Sequence, residues 1–219
     1  MPFRIGEKLN YNVSWATFST AASVQLSVPE RRELFGWGTW HFRASAHTLS
    51  PVRSLIAVDD QFDSYTDTTT LESRQYETYL NEMGKKQDQV LHLLPEGQSA
   101  RGNFPGIVVS PGTRDPLGAL YALRGVDWQH TPEFRAPVYD GHDVYELRAR
   151  QEVPSETVAV AAGNYSASRI SMHIFYRGKE VEGESFSAWL AHDAARTPVL
   201  IEASMPFGTF RVELTSASQ

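Results

Sequence analysis

Lys8-Leu9-Asn10-Tyr11-Asn12-Val13-Ser14-Trp15 decides the fold class, because its large apolar side chains fall on every second residue. Successive side chains of an extended strand point to opposite faces. The octet therefore reads as a strand with Leu9, Tyr11, Val13 and Trp15 on a dry face and Lys8, Asn10, Asn12 and Ser14 on a wet one. The same period of two recurs outward along the chain, at Val24, Leu26 and Val28, at Trp40, Phe42, Ala44 and Ala46, and at Tyr76 and Leu80. It continues from Gln89 to Leu94, from Tyr165 to Tyr176, and through Phe186, Ala188, Leu190, Val199 to Met205, Phe210, Val212 and Leu214. Turn signals separate these runs: Met83-Gly84, Asp140-Gly141, Gly163-Asn164, Arg177-Gly178 and Pro206-Phe207-Gly208. Glycine reaches positive φ without a Cβ clash, so such pairs close hairpins. About eleven or twelve strands at intervals of roughly 8–12 residues predict a sandwich, a barrel or a curled antiparallel sheet.

One segment departs from that period. Asp115 is a helix-capping residue, Pro116 suits the first helical position, and Gly125 suits a left-handed exit. Leu117, Leu120, Tyr121 and Arg124 follow at spacings of three and four, so the sequence predicts a short helix over 116–124 with Leu117, Leu120 and Tyr121 on one stripe. Such a stripe needs an apolar partner, and the helix is expected to plug the concave side or open end of the sheet. The longest irregular stretch, Pro95 to Thr113, reads as a surface loop with a short strand at Ile107 to Val109.

Composition narrows the function classes. The chain of 219 residues has no cysteine, which removes thiol nucleophiles, thiolate metal sites and disulfides together. Its formal charge of −6, from 26 acidic against 20 basic side chains, opposes binding to a phosphate backbone, so no nucleic-acid partner is expected. No run reaches the ~18 apolar residues of a spanning helix, so no transmembrane segment is expected. The opening Met1-Pro2-Phe3-Arg4-Ile5-Gly6-Glu7 lacks the succession of a signal peptide, which leaves either a cytosolic chain or a processed one.

Candidate chemistry is sparse. Asp59, Asp63 and Asp67 share a strand face with Gln61 and Tyr65, a conceivable calcium set, but the EF-hand spacing is absent and a solvated acidic face is the expected reading. His41 and His47 are read on the wet face of one strand, too far apart to share an ion, so neither metal nor cofactor is expected. The serine elbow, the Ser-x-x-Lys arrangement and the phosphate loop are missing, so no catalytic residue is assigned. Aromatic residues are plentiful in and around the strands, and those on a concave face are expected either to fill a core or to line an apolar groove. Trp37, between Gly36 and Gly38, is expected at the surface.

Four ordered motifs add a resemblance. Gly6-Glu7-Lys8-Leu9 with Tyr11, Val13 and Trp15 comes first, and Asp115-Pro116-Leu117 with Tyr121, Leu123 and Arg124 second. Val138-Tyr139-Asp140-Gly141 with Tyr145 and Leu147 follows, then Gly163, Tyr165, Ala167 and Trp189-Leu190 with Asp193, Arg196, Pro198 and Val199. Together they resemble the bacterial family catalogued as domain of unknown function 3108 across nearly the whole chain. The resemblance implies an exported protein of a Gram-negative-type envelope, and hence a processed chain. It also implies an architecture similar to the half-open antiparallel barrels of periplasmic lipoprotein carriers, and it transfers no catalytic residue. Where the family often has a glycine after the first strand, this chain has Ser19-Thr20-Ala21-Ala22, which predicts a looser or differently registered first hairpin.

The combined expectation is one all-β domain over 1–219: a large antiparallel meander sheet curled into a half-open barrel, plugged by the helix near 116–124. Its expected role is that of a non-enzymatic periplasmic or envelope-associated protein whose concave face binds a lipid-like apolar or amphipathic ligand, or an envelope protein. Trp15, Trp40, Phe42, Leu120, Tyr121 and Arg124 are the expected ligand-binding residues, with Arg124 paired to Asp140 or Asp193 rather than left as a free cation. The alternatives are a hydrolase acting on an envelope component through a histidine and a carboxylate, and a module that binds partners by strand addition.

Overall fold

The computed structural model describes residues 1–95, 106–206 and 208–218. In the first half, β1 (Lys8–Trp15), β2 (Phe18–Leu34), β3 (Trp37–Thr48), β4 (Asp59–Asp67), β5 (Ser73–Glu82) and β6 (Lys85–Pro95) form an antiparallel meander. The short β7 (Ile107–Val109) adds parallel to its edge. A second meander holds β8 (Phe134–Tyr139), β9 (Val144–Val160), β10 (Gly163–Tyr176), β12 (Ser185–Ala191), β13 (Pro198–Met205) and β14 (Gly208–Ser218), with the two-residue β11 (Lys179–Glu180) beside β10. Pairing of β1 with β14 joins the two meanders into one fourteen-stranded open sheet. The short strand expected at Ile107 to Val109 is β7, whereas the two-residue β11 is too short to show a period.

A twisted sheet of this size must curl, and the crossover between its outer edges controls how far. Between β7 and α1 (Pro116–Gly125) the chain bonds to strands from both halves. Thr113 O accepts from Ser73 N on β5 at 3.0 Å, while on β8 Arg114 N donates to Pro137 O at 3.0 Å and Tyr139 N to Arg114 O at 2.8 Å. Tyr139 then packs with Tyr76, Leu91, Leu93 and Val109 in a small cluster spanning the seam. The half-open barrel expected from the resemblance is thus drawn together by a strap rather than by a closed ladder. No described helix is long and apolar enough to cross a membrane.

The first strand keeps its predicted alternation, with Leu9, Tyr11 and Val13 buried. Its hairpin turns at Ala16, whose φ is 52°, and Ser19 to Ala22 lie within β2, where Ala22 pairs with Val13 on β1 and Thr48 on β3. A register shift between Val13 and Trp15 absorbs the missing glycine. Of the Pro95–Thr113 stretch, residues 96–105 lie outside the described residues, as does Phe207 of the Pro206–Gly208 turn. Trp37 departs from expectation: it is half-buried beneath the Arg74 guanidinium, 4.1 Å from its ring.

The helix is held at both ends by buried charge. At its start, Asp115 accepts from Gly118 N at 2.8 Å and from the Ser64 and Ser73 hydroxyls, both at 2.5 Å. Gly118 permits the close seat, since a Cβ there would meet Ser73 Oγ and Thr66 Cγ2 at 3.0 Å. At its end, Arg124 donates to Glu7 Oε1 at 2.7 Å, Glu7 Oε2 at 2.8 Å and Ala195 O at 2.8 Å. Arg124 is therefore paired, but with Glu7 instead of Asp140 or Asp193. Gly125 is not a left-handed exit: the cap is Val126 at φ −68°, and Arg196 Nη1 bonds the Arg124 and Val126 carbonyls. The buried face is also wider than the predicted stripe, taking in Ala119, Ala122, Leu123 and Arg124 beside Leu117 and Tyr121.

Replacing Glu7 with Ala should lower the unfolding free energy by about 3–5 kcal/mol, because Arg124 is left as a buried unpaired charge. Replacing both, Glu7→Leu with Arg124→Met, should recover much of that loss. Urea denaturation checks both, and an unchanged midpoint for the single variant would contradict the pairing.

Candidate functional site

The apolar face of α1 does not fill the concavity it enters. On one side lies a hollow of about 430 Å³ whose wall includes Ala119, Leu120, Leu123, Leu147, Met172, Ile174 and Phe186. On the other lies a hollow of about 320 Å³ walled by Val24, Leu26, Ala44, Phe62, Ile201 and Val212. Pro116 and Leu120 border both. The larger is within the ~300–1,000 Å³ typical of small-molecule sites. Its only charged lining groups are Asp140 and Glu184, and the smaller hollow has none.

Sequence reasoning proposed six residues for this site, and the fold separates them. Leu120 is half-buried between the two hollows. Phe42 and Tyr121 are fully enclosed and stack at 3.8 Å, and Phe3 meets Trp40, Phe42 and Tyr121 edge-on at 5.1, 5.0 and 5.3 Å. Trp40 is buried with them, and Arg124 lies under the same cluster, 5.0 Å from the Tyr121 ring. Trp15 stands apart at the β1–β2 hairpin, stacked on Phe210 at 5.9 Å. The hollow walls come instead from Phe62, Leu147, Met172, Ile174 and Phe186. Alternation placed these on strands, but only the curl of the sheet decides which strand faces which.

A second, polar cleft of about 620 Å³ contains Ser168, His192 and Asp193. His192 Nε2 is 3.0 Å from Ser168 Oγ, while its Nδ1 faces Ser166 Oγ at 3.1 Å and not a carboxylate. The Ser168 hydroxyl donates to Pro154 O at 2.8 Å, and Asp193 is engaged by Thr197 N and Oγ1 at 3.0 and 2.7 Å. A nucleophile needs its proton directed to the base and the base oriented by a third group, and neither condition is met here.

The histidine–carboxylate pairs lie elsewhere. His41 is buried, not solvated as its position on the wet face implied: Tyr65 stacks on it at 4.4 Å, and its Nε2 is 2.5 Å from Asp63 Oδ1. The three in-phase carboxylates of β4 do not converge. Asp59 binds Arg53 and His47, Asp63 binds His41, Arg43 and Gln61, and Asp67 accepts from Arg74 and from Thr69 N and Thr70 N. Hydrogen bonds from Arg53 and His47 hold Asp59 down at about 2. Among the described residues no group of three or more potential metal ligands gathers.

The family described as "Protein of unknown function (DUF3108)" matches residues 10–215. No curated protein matches the chain. Among solved structures, a beta-barrel-like protein of domain of unknown function DUF1849 from Brucella abortus is similar over 97% of this chain and 96% of its own, at 8% identity and a TM-score of 0.56. A lipoprotein candidate from Parabacteroides distasonis is similar over 100% of this chain and 97% of its own, at 11% identity and a TM-score of 0.47. The first of these supports the fold and carries no residue role to this chain.

The His41–Asp63 network has its own pH signature. Burial raises the Asp63 pKa, but hydrogen bonds from His41, Arg43 and Gln61 outweigh it and hold the carboxyl below its usual range. A depressed folded pKa contributes stability that is present above the unfolded value, ~3.9, and lost as pH falls through the folded one. The urea midpoint should therefore drop below about pH 4 in the parent chain, and drop less steeply in Asp63→Asn. Identical acid limbs would remove Asp63 from the account.

Proposed function

The chain belongs to the DUF3108 family, and we propose that it is a non-enzymatic periplasmic or envelope-associated protein that holds an apolar or amphipathic, lipid-like ligand beside Leu120. One observation carries this reading: two adjoining hollows with predominantly apolar walls remain on either side of a helix that is pinned at both ends and cannot collapse to fill them. Apolar surface left uncovered in this way gains free energy when an apolar molecule displaces water from it. Leu120 is the contact residue of this reading. Phe42, Tyr121, Trp40 and Arg124 serve it from behind, by fixing the helix on which Leu120 stands. The envelope location rests on the family resemblance. Hydrolysis is the weaker reading, because the Ser168 hydroxyl is turned to a carbonyl and no carboxylate orients His192.

Titration with a fluorescent long-chain fatty acid tests the proposal. The parent chain should show saturable binding, and Leu120→Asp should weaken it by about tenfold or more, since a carboxylate then stands in an apolar wall. Leu120→Met should bind nearly as the parent does. Absence of saturable binding, or equal binding by Leu120→Asp, would sink the reading.

A further inference from the structure

At one end of the barrel three bulky apolar side chains stand in solvent: Leu55 is 65% exposed, Ile56 45% and Met83 62%. They belong to one surface although they come from two loops. Leu55 and Ile56 follow the single 3-10 turn (Val52–Ser54) between β3 and β4, and Met83 caps the β5–β6 hairpin. Met83 N donates to Ala57 O at 2.7 Å, and Val58 bridges to Glu82, so the loops lie side by side. Lys85 and Lys86 follow directly on the same hairpin and are exposed.

This end projects. A Cβ on Gly141, in the β8–β9 turn across the seam, would meet Gln89 Oε1 at 3.3 Å, which places that turn opposite Gln89. The β5–β6 hairpin runs on from Gln89 to Lys85, roughly 13 Å further at strand rise. The helix N-terminus contacts Ser64 and Ser73, whereas the hollows reach Phe62, Ala44 and Val24, further toward that end on the first half, and Tyr145 and Asp140 on the second. Both hollows thus lie on the side of the helix that faces the projecting end.

Charge selects the occupant. Asp59 is taken up by Arg53 and His47, and Glu82 lies opposite Lys85 in register, so Lys85 and Lys86 are exposed cations beside the apolar tip, with exposed Asp88 two residues further from it than Lys86. Exposed apolar side chains flanked by lysines are the chemistry of a segment that enters the boundary of an anionic bilayer. We propose that Leu55, Ile56 and Met83 dip into the surface of an anionic membrane, with Lys85 and Lys86 drawn to its headgroups. This goes beyond ligand binding, and where an amphiphile is bound it sets the open side of the hollows toward the bilayer.

Co-sedimentation with vesicles of phosphatidylcholine alone, and of phosphatidylcholine with phosphatidylglycerol, tests it. The parent chain should pellet with the anionic vesicles and release as salt rises. Leu55→Asp/Ile56→Asp/Met83→Asp should lose about a hundredfold in partitioning, and Lys85→Glu/Lys86→Glu about tenfold. All five positions are exposed, so thermal melting should remain near that of the parent. A parent chain that stays in the supernatant with anionic vesicles, or an apolar-tip variant that pellets as well as the parent, would overturn the proposal. Crosslinking of the tip to a protein in intact envelopes, without vesicle binding, would assign the surface to that protein and overturn it as well. Fatty-acid titration of the tip variants keeps the two readings separate, because it depends on Leu120 and not on the tip.

Discussion

The Arg124–Glu7 pair fixes everything downstream of it. Both side chains are withdrawn from water, Arg124 at 1% exposure and Glu7 at 0%, so neither tolerates loss of the other. The pair ties the last turn of the helix to the start of the first strand, 117 residues away in sequence. With Asp115 buried between two serine hydroxyls at the other end, the helix cannot slide along the concave face. Burial raises the Asp115 pKa, and hydrogen bonds from Ser64, Ser73 and the backbone N–H groups of Gly118 and Leu117 partly offset it. A greasy helix free to move would settle deeper and close the space around Leu120. Polar anchors set a depth that hydrophobic packing alone does not specify.

The open sheet makes such an anchor necessary. Fourteen strands wound from two meanders leave two outer edges, and the strap at Thr113 and Arg114 bonds to β5 on one half and β8 on the other without completing a ladder. A closed barrel would take its diameter from strand number and stagger. Here the spacing of the edges follows from the strap and from the helix it leads into. The same arrangement covers β8 with the strap, which protects part of an edge from strand addition.

Much of this was legible in the sequence because a period of two survives in a single chain. Leu9, Tyr11 and Val13 announced their strand, Asp140-Gly141 its turn, and Asp115-Pro116 the start of the helix. Glu7 carries a signal of its own: it is in phase with Leu9, Tyr11 and Val13, so a carboxylate stands on the dry face and needs a buried cation. His41 misled for a different reason. Its phase does point it away from the hollow, yet Tyr65 covers it on the convex side, and cross-strand cover of that kind depends on register. The walls of the hollows were illegible for the same cause, since Phe62 and Phe186 come from strands far apart in the sequence and only the curl brings them to one concavity.

In the proposed function the anchored helix keeps an apolar space open for a guest. Native mass spectrometry of the chain, taken gently from its host cells and then exposed to a bacterial lipid extract, tests this. A population carrying one additional lipid-sized mass per chain is expected. The mass of the bare polypeptide alone, before and after exposure to the extract, would contradict it.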